Sequence, residues 1–423
     1  MTQSKMFQGV PVTDLAERYG TPLFVYDGDT LTEGYDALRQ RLPQVLEFFF
    51  SLKSNPNVAI CALLAARGAR AEVSSLVEIR TALRAGVRPE DIIFLGPGKS
   101  PEELTACLEI GVYAVVCESY GELEALDEIA AAMGRTAPVA LRVNPEFTVK
   151  GSGLTMGGKP RQFGIDEAQL LADPDLAKRF GSLRIMGVHA YMGTRILNEE
   201  VIAENTARIL ELADRLADRL GFALDMVDVG GGLGVAYFEN ERDLNLDRLG
   251  ELVGPVVTSF AERHPGTRMI MELGRFLTAM CGTYVMRVRT VKESMGSHFA
   301  VTDGGTHHHM AAVGIGSFVK RNFPISLISR SSADVAEPWT VAGPLCTPND
   351  VVAKGAALPP LRPGDLLGVH RSGAYGPSAS PVLFLSHGHP AEVVVHRGQP
   401  YLVRDRDRPD DLMNKQHLPV FQD

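Results

Sequence analysis

Five cysteines in 423 residues (Cys61, Cys107, Cys117, Cys281 and Cys346) are odd in number and never fall in a C-x-x-C pair. That speaks against a disulfide framework and for a reducing compartment. No apolar run approaches the length needed to cross a bilayer. The opening Met1-Thr2-Gln3-Ser4-Lys5-Met6 has no apolar core of the signal-peptide kind. Neither sign of charge is concentrated: the net charge of -9 comes from acidic and basic residues spread along the chain. Such a balance means solubility and offers no surface for nucleic acid. Repeats and low-complexity segments are missing as well. The expectation is a cytoplasmic protein that works on neither membranes nor nucleic acids.

Apolar residues make up 45%, enough for sizeable cores, and the length exceeds what one core usually takes. From about residue 29, strand-like and helix-like segments alternate. Strands are expected at 46–52, 71–75, 92–95, 113–117, 138–143, 184–190, 225–229 and 268–272. Amphipathic helices lie between most of them. Ile202, Ile209, Leu212, Leu216 and Leu220 line one face of the clearest. Gly68, Gly86, Gly111 and Gly221 each stand between a helix and the next strand, where a C-cap favours glycine. Eight strands alternating with helices predict an α/β chain with a (β/α)8 TIM barrel over 29–280. Strand-like runs at 283–292, 298–303, 365–369 and 392–396 are then separated by Gly/Pro turns. They predict a β-rich C-terminal domain, barrel or sandwich, over 281–423. A helix from Val12 to Tyr19 and a strand Leu23-Phe24-Val25-Tyr26 precede the barrel, so residues 1–28 are assigned to that β domain. Residues 146–163, rich in Gly, Lys and Thr, read as a mobile loop over the barrel mouth.

Chemistry in such barrels sits at the C-terminal strand ends. The first strand is apolar on both faces and runs into Lys53 before Ser54-Asn55-Pro56-Asn57 breaks it. Pro56 suits the first turn of the following helix. An ammonium where a buried strand meets a loop is costly unless it is paired or its pKa is lowered. A lysine with a lowered pKa is a nucleophile that forms Schiff bases. The plainer reading is a lysine snorkelling out of a strand end. Other strand ends carry Ser74-Ser75, Gly96, Glu118-Ser119, Asn144, His189-Ala190-Tyr191, Gly230-Gly231-Gly232 and Glu272-Leu273-Gly274-Arg275. The run Gly230-Gly231-Gly232-Leu233-Gly234 frees backbone N–H groups for an anion such as phosphate, or is simply a tight turn. Arg275 is placed to clamp the same anion. Gly96-Pro97-Gly98-Lys99-Ser100 imitates half of a P-loop, but Ile93 stands where the first glycine belongs, so a turn opening a helix is expected. Glu272 ends an apolar strand and needs a partner, either a cationic ring nitrogen or a salt bridge. A Schiff-base lysine, a phosphate cradle and a carboxylate for a pyridinium are together what pyridoxal phosphate requires.

These residues resemble a known family, the fold type III pyridoxal-phosphate decarboxylases, which include diaminopimelate, ornithine and arginine decarboxylases. The likeness rests on Ser51-Leu52-Lys53-Ser54-Asn55, Val73-Ser74-Ser75 with Glu78, and Gly187-Val188-His189-Ala190-Tyr191-Met192-Gly193-Thr194. It continues through Gly230-Gly231-Gly232, Glu272-Leu273-Gly274-Arg275, Gly343-Pro344-Leu345-Cys346 with Asp350, and Gly373-Ala374-Tyr375. The motifs fall in the family's order and span nearly the whole chain. The resemblance implies that Lys53 binds the cofactor covalently and that Glu272 keeps its ring nitrogen protonated. It implies that Gly230, Gly231, Gly232, Arg275, Thr194 and Tyr375 hold the phosphate, with His189, Tyr191 and Gly274 in the same site. Cys346 would return a proton to the α-carbon after CO2 leaves, although alone it reads as a small core residue. Cys346 and Asp350 would reach into a partner's barrel, in a head-to-tail homodimer with two shared sites.

Four positions depart from the family pattern. Tyr191 stands where the family stacks a histidine on the ring, and a tyrosine can stack there too. Leu273 replaces a proline and Thr194 a serine. Thr347 stands where diaminopimelate decarboxylases carry Glu and ornithine decarboxylases Asp, the carboxylate that reads a distal ammonium. Its loss implies a substrate without a free distal amine. Cys346-Thr347-Pro348, Asp350, His307-His308-His309, Arg161-Gln162-Phe163-Gly164 and Ser372-Gly373-Ala374-Tyr375-Gly376 resemble a specialised-metabolism branch of the family. That branch includes a butirosin-pathway decarboxylation of glutamate tethered to an acyl carrier protein.

The expected function is therefore decarboxylation of an L-α-amino acid with a masked distal end, in natural-product biosynthesis. Tyr375, Thr347, Asp350, Arg161 and Arg321 are candidate substrate contacts. Lys159, Arg161, Lys320 and Arg321 would face an acidic carrier or its arm, or are solvated surface. Three consecutive histidines invite a metal, but neighbours on an extended segment alternate faces. No metal is expected, and a histidine lining the substrate pocket is the better reading. One alternative is a diaminopimelate decarboxylase of lysine synthesis, against which Thr347 speaks. A second is an amino-acid racemase, which usually has an arginine near the ring nitrogen where Glu272 stands. A third is a catalytically dead regulator, against which Lys53, Cys346 and Asp350 speak. A barrel without cofactor, with Lys53 unmodified, is the fourth.

Overall fold

The computed structural model describes residues 4–148, 154–313 and 321–421. The chain divides into two compact units, Leu31–Leu277 and Met1–Thr30 with Thr278–Asp423. In the first, eight parallel strands close on themselves. They are β1 Leu46–Ser51, β2 Arg70–Val73, β3 Ile92–Phe94, β4 Ala114–Cys117, β5 Ala137–Asn144, β6 Leu183–His189, β7 Met226–Gly231 and β8 Arg268–Leu273. Each pairs with the next, and β8 returns to β1 with Met269 opposite Leu46 and Leu273 opposite Phe50. This is the expected (β/α)8 barrel.

Phe48, Phe49 and Phe50 are all buried, because one face of β1 fills the barrel and the other meets the helices. Phe49, Ile93, Ala114, Val116, Ala140, Met186, Met226 and Ile270 form one cluster, drawn from every barrel strand but β2. A filled interior is a core and not a pore, so chemistry is left to the strand ends.

The helix ends are set by local sequence. Ser100 Oγ accepts from the Glu103 N–H at 3.2 Å, and the Ser100 N–H donates to Glu103 at 2.9 Å, opening the helix Pro101–Ile110. Gly111 and Gly221 close their helices at φ of 79° and 70°, left-handed backbone that glycine adopts without strain. The helix Glu199–Leu220 buries the face that begins at Ile202. Asn57 caps Val58–Ala65 by accepting from the Ala59 N–H at 2.9 Å, so Pro56 lies just outside that helix and not in its first turn.

The stretch expected to be a mobile loop is paired in its described part; residues 149–153 lie outside the described residues. Leu154–Thr155 pairs antiparallel with Gly193–Thr194, and Ile165–Asp166 pairs parallel with the end of β5. Asn144 Oδ1 accepts from the Gly158 N–H at 2.9 Å and its Nδ2 donates to Asp166 at 2.9 Å. Backbone groups satisfied in this way tie the segment to the barrel.

The other unit is built on a mixed sheet. Its path runs Val351–Leu358, Glu337–Ala342, Ser297–Thr302, Gly282–Ser294, Leu23–Asp27, Ala391–His396 and Gln399–Arg404. Leu366–His370 pairs with Gly282–Ser294 and with Ile325–Leu327. The strand Leu23–Asp27 lies inside this sheet, antiparallel to Gly282–Ser294 and parallel to Ala391–His396. Phe7, Val12, Leu15, Leu23, Val25, Val285, Leu366 and Val393 pack into its core. Among the described residues no helix is long and apolar enough to cross a membrane.

Candidate active site

β1 ends at Ser51, and Leu52–Ser54 turn as one 3-10 step that carries Lys53 off the strand. Ser54 Oγ donates to the Ser51 carbonyl at 2.9 Å and fastens the turn. Lys53 Nζ lies 3.3 and 3.1 Å from the two oxygens of Glu72 on β2. The Lys53 side chain is 41% exposed and that of Glu72 1%, so the lysine reaches solvent while its partner is fixed beneath it. The charge at the strand end is thus met by pairing. Ser74 Oγ donates to Glu72 at 3.3 Å, and the Ser74 N–H donates to Glu78 at 2.7 Å. Burial pushes the Glu78 carboxyl up to about 7; the Ser74 N–H opposes this and Glu72 adds to it. The Tyr191 ring centroid lies 5.7 Å from Lys53 Nζ.

A polar floor lies on β6, β7 and β8. Glu272 is buried, with Oε1 2.9 Å from His189 Nε2. Burial alone would raise its carboxyl, but Lys53 and the His189 hydrogen bond outweigh it and hold Glu272 below the usual carboxylate range. Asp228 goes the other way: burial first, then the charge of Glu272, push its carboxyl well above that range. Asp228 Oδ1 accepts from the Gly230 N–H at 2.8 Å. The donor atoms of His189, Asp228 and Glu272 all lie within 4.8 Å of one another. Asp228 Oδ2 and His189 Nδ1 are buried without a hydrogen-bond partner among the described residues. Open bonding positions beside an ionised carboxylate call for a polar, cationic guest. A protonated ring nitrogen and a metal ion both qualify on charge alone.

Gly230, Gly231 and Gly232 carry the chain out of β7. A Cβ on Gly231 would overlap the Glu272 carbonyl, and one on Gly232 the Gly193 carbonyl. The tight-turn and anion-cradle readings are therefore compatible: the missing side chains that permit close packing also bare N–H groups. Gly274 lets the end of β8 pass the Lys53 turn, since its Cβ would meet Ser54 Cβ at 3.1 Å. Arg275 opens the short helix Arg275–Thr278 and donates from Nη1 to the Tyr237 hydroxyl at 3.1 Å. Thr194 sits in the two-residue strand already described.

In the β unit, Cys346 is exposed and Thr347 half-buried. Asp350 is buried: Oδ1 accepts from the Thr306 N–H at 2.8 Å and the Thr306 hydroxyl at 2.9 Å, and Oδ2 from the Leu345 N–H at 2.8 Å. It ties the residue before His307 to the residue before Cys346. Tyr375 holds φ of 54°, a left-handed strain for a side-chain-bearing residue. His307, His308 and His309 are buried and point to different partners. His308 lies 3.1 Å from the Tyr284 hydroxyl and 2.9 Å from the Gly388 carbonyl, and His309 lies 2.8 Å from Ser372 Oγ. The His307 ring lies tilted against those of His308 and His387, with centroids 3.8 and 4.5 Å apart. Burial lowers all three, to about 4, 2 and 3 in chain order. Lys159, Arg161 and Arg321 are exposed, and Lys320 lies outside the described residues.

Sequence reasoning passed over three buried charges at this mouth, Glu72, Asp228 and Arg142. Arg142 Nη1 donates to Glu118 at 2.8 Å, and Glu118 also accepts from the Gly96 N–H at 3.0 Å. The signal was present, since each interrupts an apolar strand. Lys99, the lysine of the false P-loop, is sealed in the wall. Its Nζ donates to the Gly96 carbonyl at 2.7 Å, the Val116 carbonyl at 2.6 Å and Glu122 at 2.9 Å.

Comparison with known proteins identifies the family. Residues 29–279 match the family described as pyridoxal-dependent decarboxylase, pyridoxal binding domain. The chain is 38% identical over 409 residues to the L-glutamyl-[BtrI acyl-carrier protein] decarboxylase of Niallia circulans, across 96% of each chain. It is 30% identical over 412 residues to the diaminopimelate decarboxylase of Zymomonas mobilis, across 96% of this chain and 95% of that one. The crystal structure of diaminopimelate decarboxylase from Helicobacter pylori complexed with L-lysine matches at a TM-score of 0.85 and 28% identity, over 95% of this chain and 98% of that one. The paired lysine, the ionised floor carboxylate and the bared glycine backbone fit pyridoxal phosphate. The chain belongs to the pyridoxal-dependent decarboxylases and is a carboxy-lyase that works through that cofactor.

Proposed function

We propose that this enzyme releases CO2 from an L-α-amino acid whose distal end is masked, such as glutamate tethered to an acyl carrier protein. The observation that carries the substrate class is Thr347, a half-buried hydroxyl beside Cys346 at the place where a distal ammonium would need a carboxylate. The relative at 38% identity, named for an L-glutamyl carrier-protein substrate, supports it. Decarboxylation of free diaminopimelate is the second reading, favoured by the relative at 30% identity.

When bound, pyridoxal phosphate supplies the sink for the electron pair left as the carboxylate departs. Lys53 would hold the cofactor through its ε-amino group, with Glu72 as its charge partner. Glu272 would face the ring nitrogen, and its ionised state, kept by Lys53 and His189, favours a protonated ring. Tyr191 would lie against the ring. Gly230, Gly231, Gly232, Gly274, Thr194, Arg275 and Tyr375 would receive the phosphate. Cys346 would deliver a proton to the α-carbon. Asp350, with both oxygens engaged by backbone donors, is better read as positioning the Cys346 loop than as touching substrate. Arg161 and Arg321 are the candidate contacts for the distal part of the substrate. In this reading the working form is a homodimer whose copies exchange Cys346.

The test is spectroscopic and chemical. Enzyme incubated with pyridoxal phosphate should show a visible absorbance band that Lys53→Ala abolishes. CO2 release is expected from carrier-tethered glutamate and not from free diaminopimelate. The opposite preference would overturn the substrate assignment and leave the cofactor assignment standing.

A further inference from the structure

Tyr237 is a buried tyrosine contacted by two guanidiniums. Arg275 donates to its hydroxyl at 3.1 Å and lies 5.7 Å from its ring centroid. Arg195 lies 5.5 Å from the same centroid and 5.5 Å from that of Phe238. Arg195 directly follows Thr194 and holds φ of 59°, a left-handed backbone that costs a non-glycine residue energy and needs support.

Glu241 holds the Arg195 side chain. Its Oε1 accepts from Arg195 Nη2 at 3.1 Å, and its Oε2 accepts from the Tyr237 N–H at 2.8 Å. One carboxylate therefore joins the Arg195 guanidinium to the backbone of the tyrosine on which that guanidinium lies. The backbone adds a second lacing. The Ile196 N–H donates to the Gly232 carbonyl at 2.9 Å, and the Gly234 N–H donates to the Ile196 carbonyl at 2.8 Å. The segment after β6, the glycine run after β7 and Arg275 after β8 are thereby held as one piece.

We propose that Arg195, Tyr237 and Glu241 are positioning residues that orient Arg275 toward the cofactor phosphate, and so make the site select phosphorylated pyridoxal over pyridoxal. The proposal rests on the reading of Gly230 to Gly232 and Arg275 as the phosphate site. An arginine gives up much rotamer freedom when it grips an anion, and one already oriented has less to lose. A neutral phenol orients a guanidinium without cancelling its charge, whereas Glu241 offsets the charge of Arg195. The division of labour follows: Arg195 braces and Arg275 binds.

The experiment measures dissociation constants of pyridoxal phosphate and of pyridoxal on full-length enzyme stripped of cofactor, by absorbance. It compares wild type, Tyr237→Phe, Arg195→Gln and Arg275→Ala. Arg275→Ala is expected to weaken pyridoxal phosphate roughly a hundredfold with little change for pyridoxal. Tyr237→Phe and Arg195→Gln are each expected to weaken it roughly fivefold, again with pyridoxal unchanged. If only Arg275→Ala alters the ratio of the two constants, the positioning network is refuted and the phosphate site stands. If Tyr237→Phe or Arg195→Gln weakens both ligands equally, their role is general structure and the proposal fails. If Arg275→Ala leaves the ratio unchanged, the phosphate-site reading falls and takes the network with it.

Discussion

The two units bury ionisable groups in opposite ways. At the barrel mouth ionisable side chains are paired: the half-exposed Lys53 with the buried Glu72, and the buried Arg142 with Glu118, Lys99 with Glu122, and His189 with Glu272. In the β unit three consecutive histidines are buried and kept neutral, His308 and His309 bonded to a phenol, a carbonyl and a hydroxyl and His307 packed against the His308 ring. Pairing keeps a charge available, and partners from different strands hold it in place. Burying a ring neutral makes it packing material, stable only while the solvent does not offer it a proton. Chemistry that needs charge is accordingly built on the barrel.

The contrast breaks first at Glu272. Replacing it with glutamine removes the ionised floor while leaving an amide oxygen to accept from His189. CO2 release per active site is expected to fall roughly a hundredfold. A change of less than about twofold would show that the charge on the floor is not used. The Glu272 shift also sets its pH window. A depressed carboxyl contributes stability above the ordinary carboxylate range and loses it only as pH falls through the lowered value.

The histidines act in the same direction over a window that begins higher. Their pKa values in the fold, about 4, 2 and 3, lie below the ordinary 6.5. Below that ordinary value the unfolded chain takes up protons that the folded unit refuses. Stability is full above it and declines as pH falls, by up to about 1.4 kcal/mol per pH unit for each ring. Denaturant midpoints at neutral and mildly acidic pH should differ in wild type, and differ less in His308→Gln and His309→Asn. Equal pH sensitivity in the variants would remove the histidines from the account.

The smallest effect is expected at Asp228, the one floor carboxyl driven toward its neutral form. Asparagine resembles a protonated carboxyl, so Asp228→Asn should retain pyridoxal phosphate within about twofold of wild type, and Asp228→Ala should bind it less well. A large loss in the asparagine variant, read as a raised dissociation constant, would mean that Asp228 works as an anion.

The barrel strands could be read from sequence to within a residue or two. Strands buried on both faces appear as continuous apolar runs, as Phe48 to Phe50 do. The β unit was less legible. Glu337–Ala342 contains Pro338, Val351–Leu358 contains Gly355, and Gln399–Arg404 lies largely exposed at the end of the sheet path. Those features argue against strands locally, and the ladder overrides them. Lys53, Glu272 and the glycine run stood out because strand ends are where barrels do chemistry. The Arg195–Glu241 brace did not, since its partners are 46 positions apart and neither is unusual for its stretch of chain.

By itself, the sequence determined which elements form, where Lys53 and Glu272 stand on them, and which family the motifs point to. Periodicity, caps and motif order are local, and local pattern survives in one dimension. Only the tertiary structure decided that Lys53 is paired, that Glu272 is the ionised member of its pair with Asp228, and that Asp350 serves the backbone. Each of those outcomes depends on burial and on a neighbour from another strand or loop. The free energy of a charge is set by what surrounds it in space, which chain order alone does not specify.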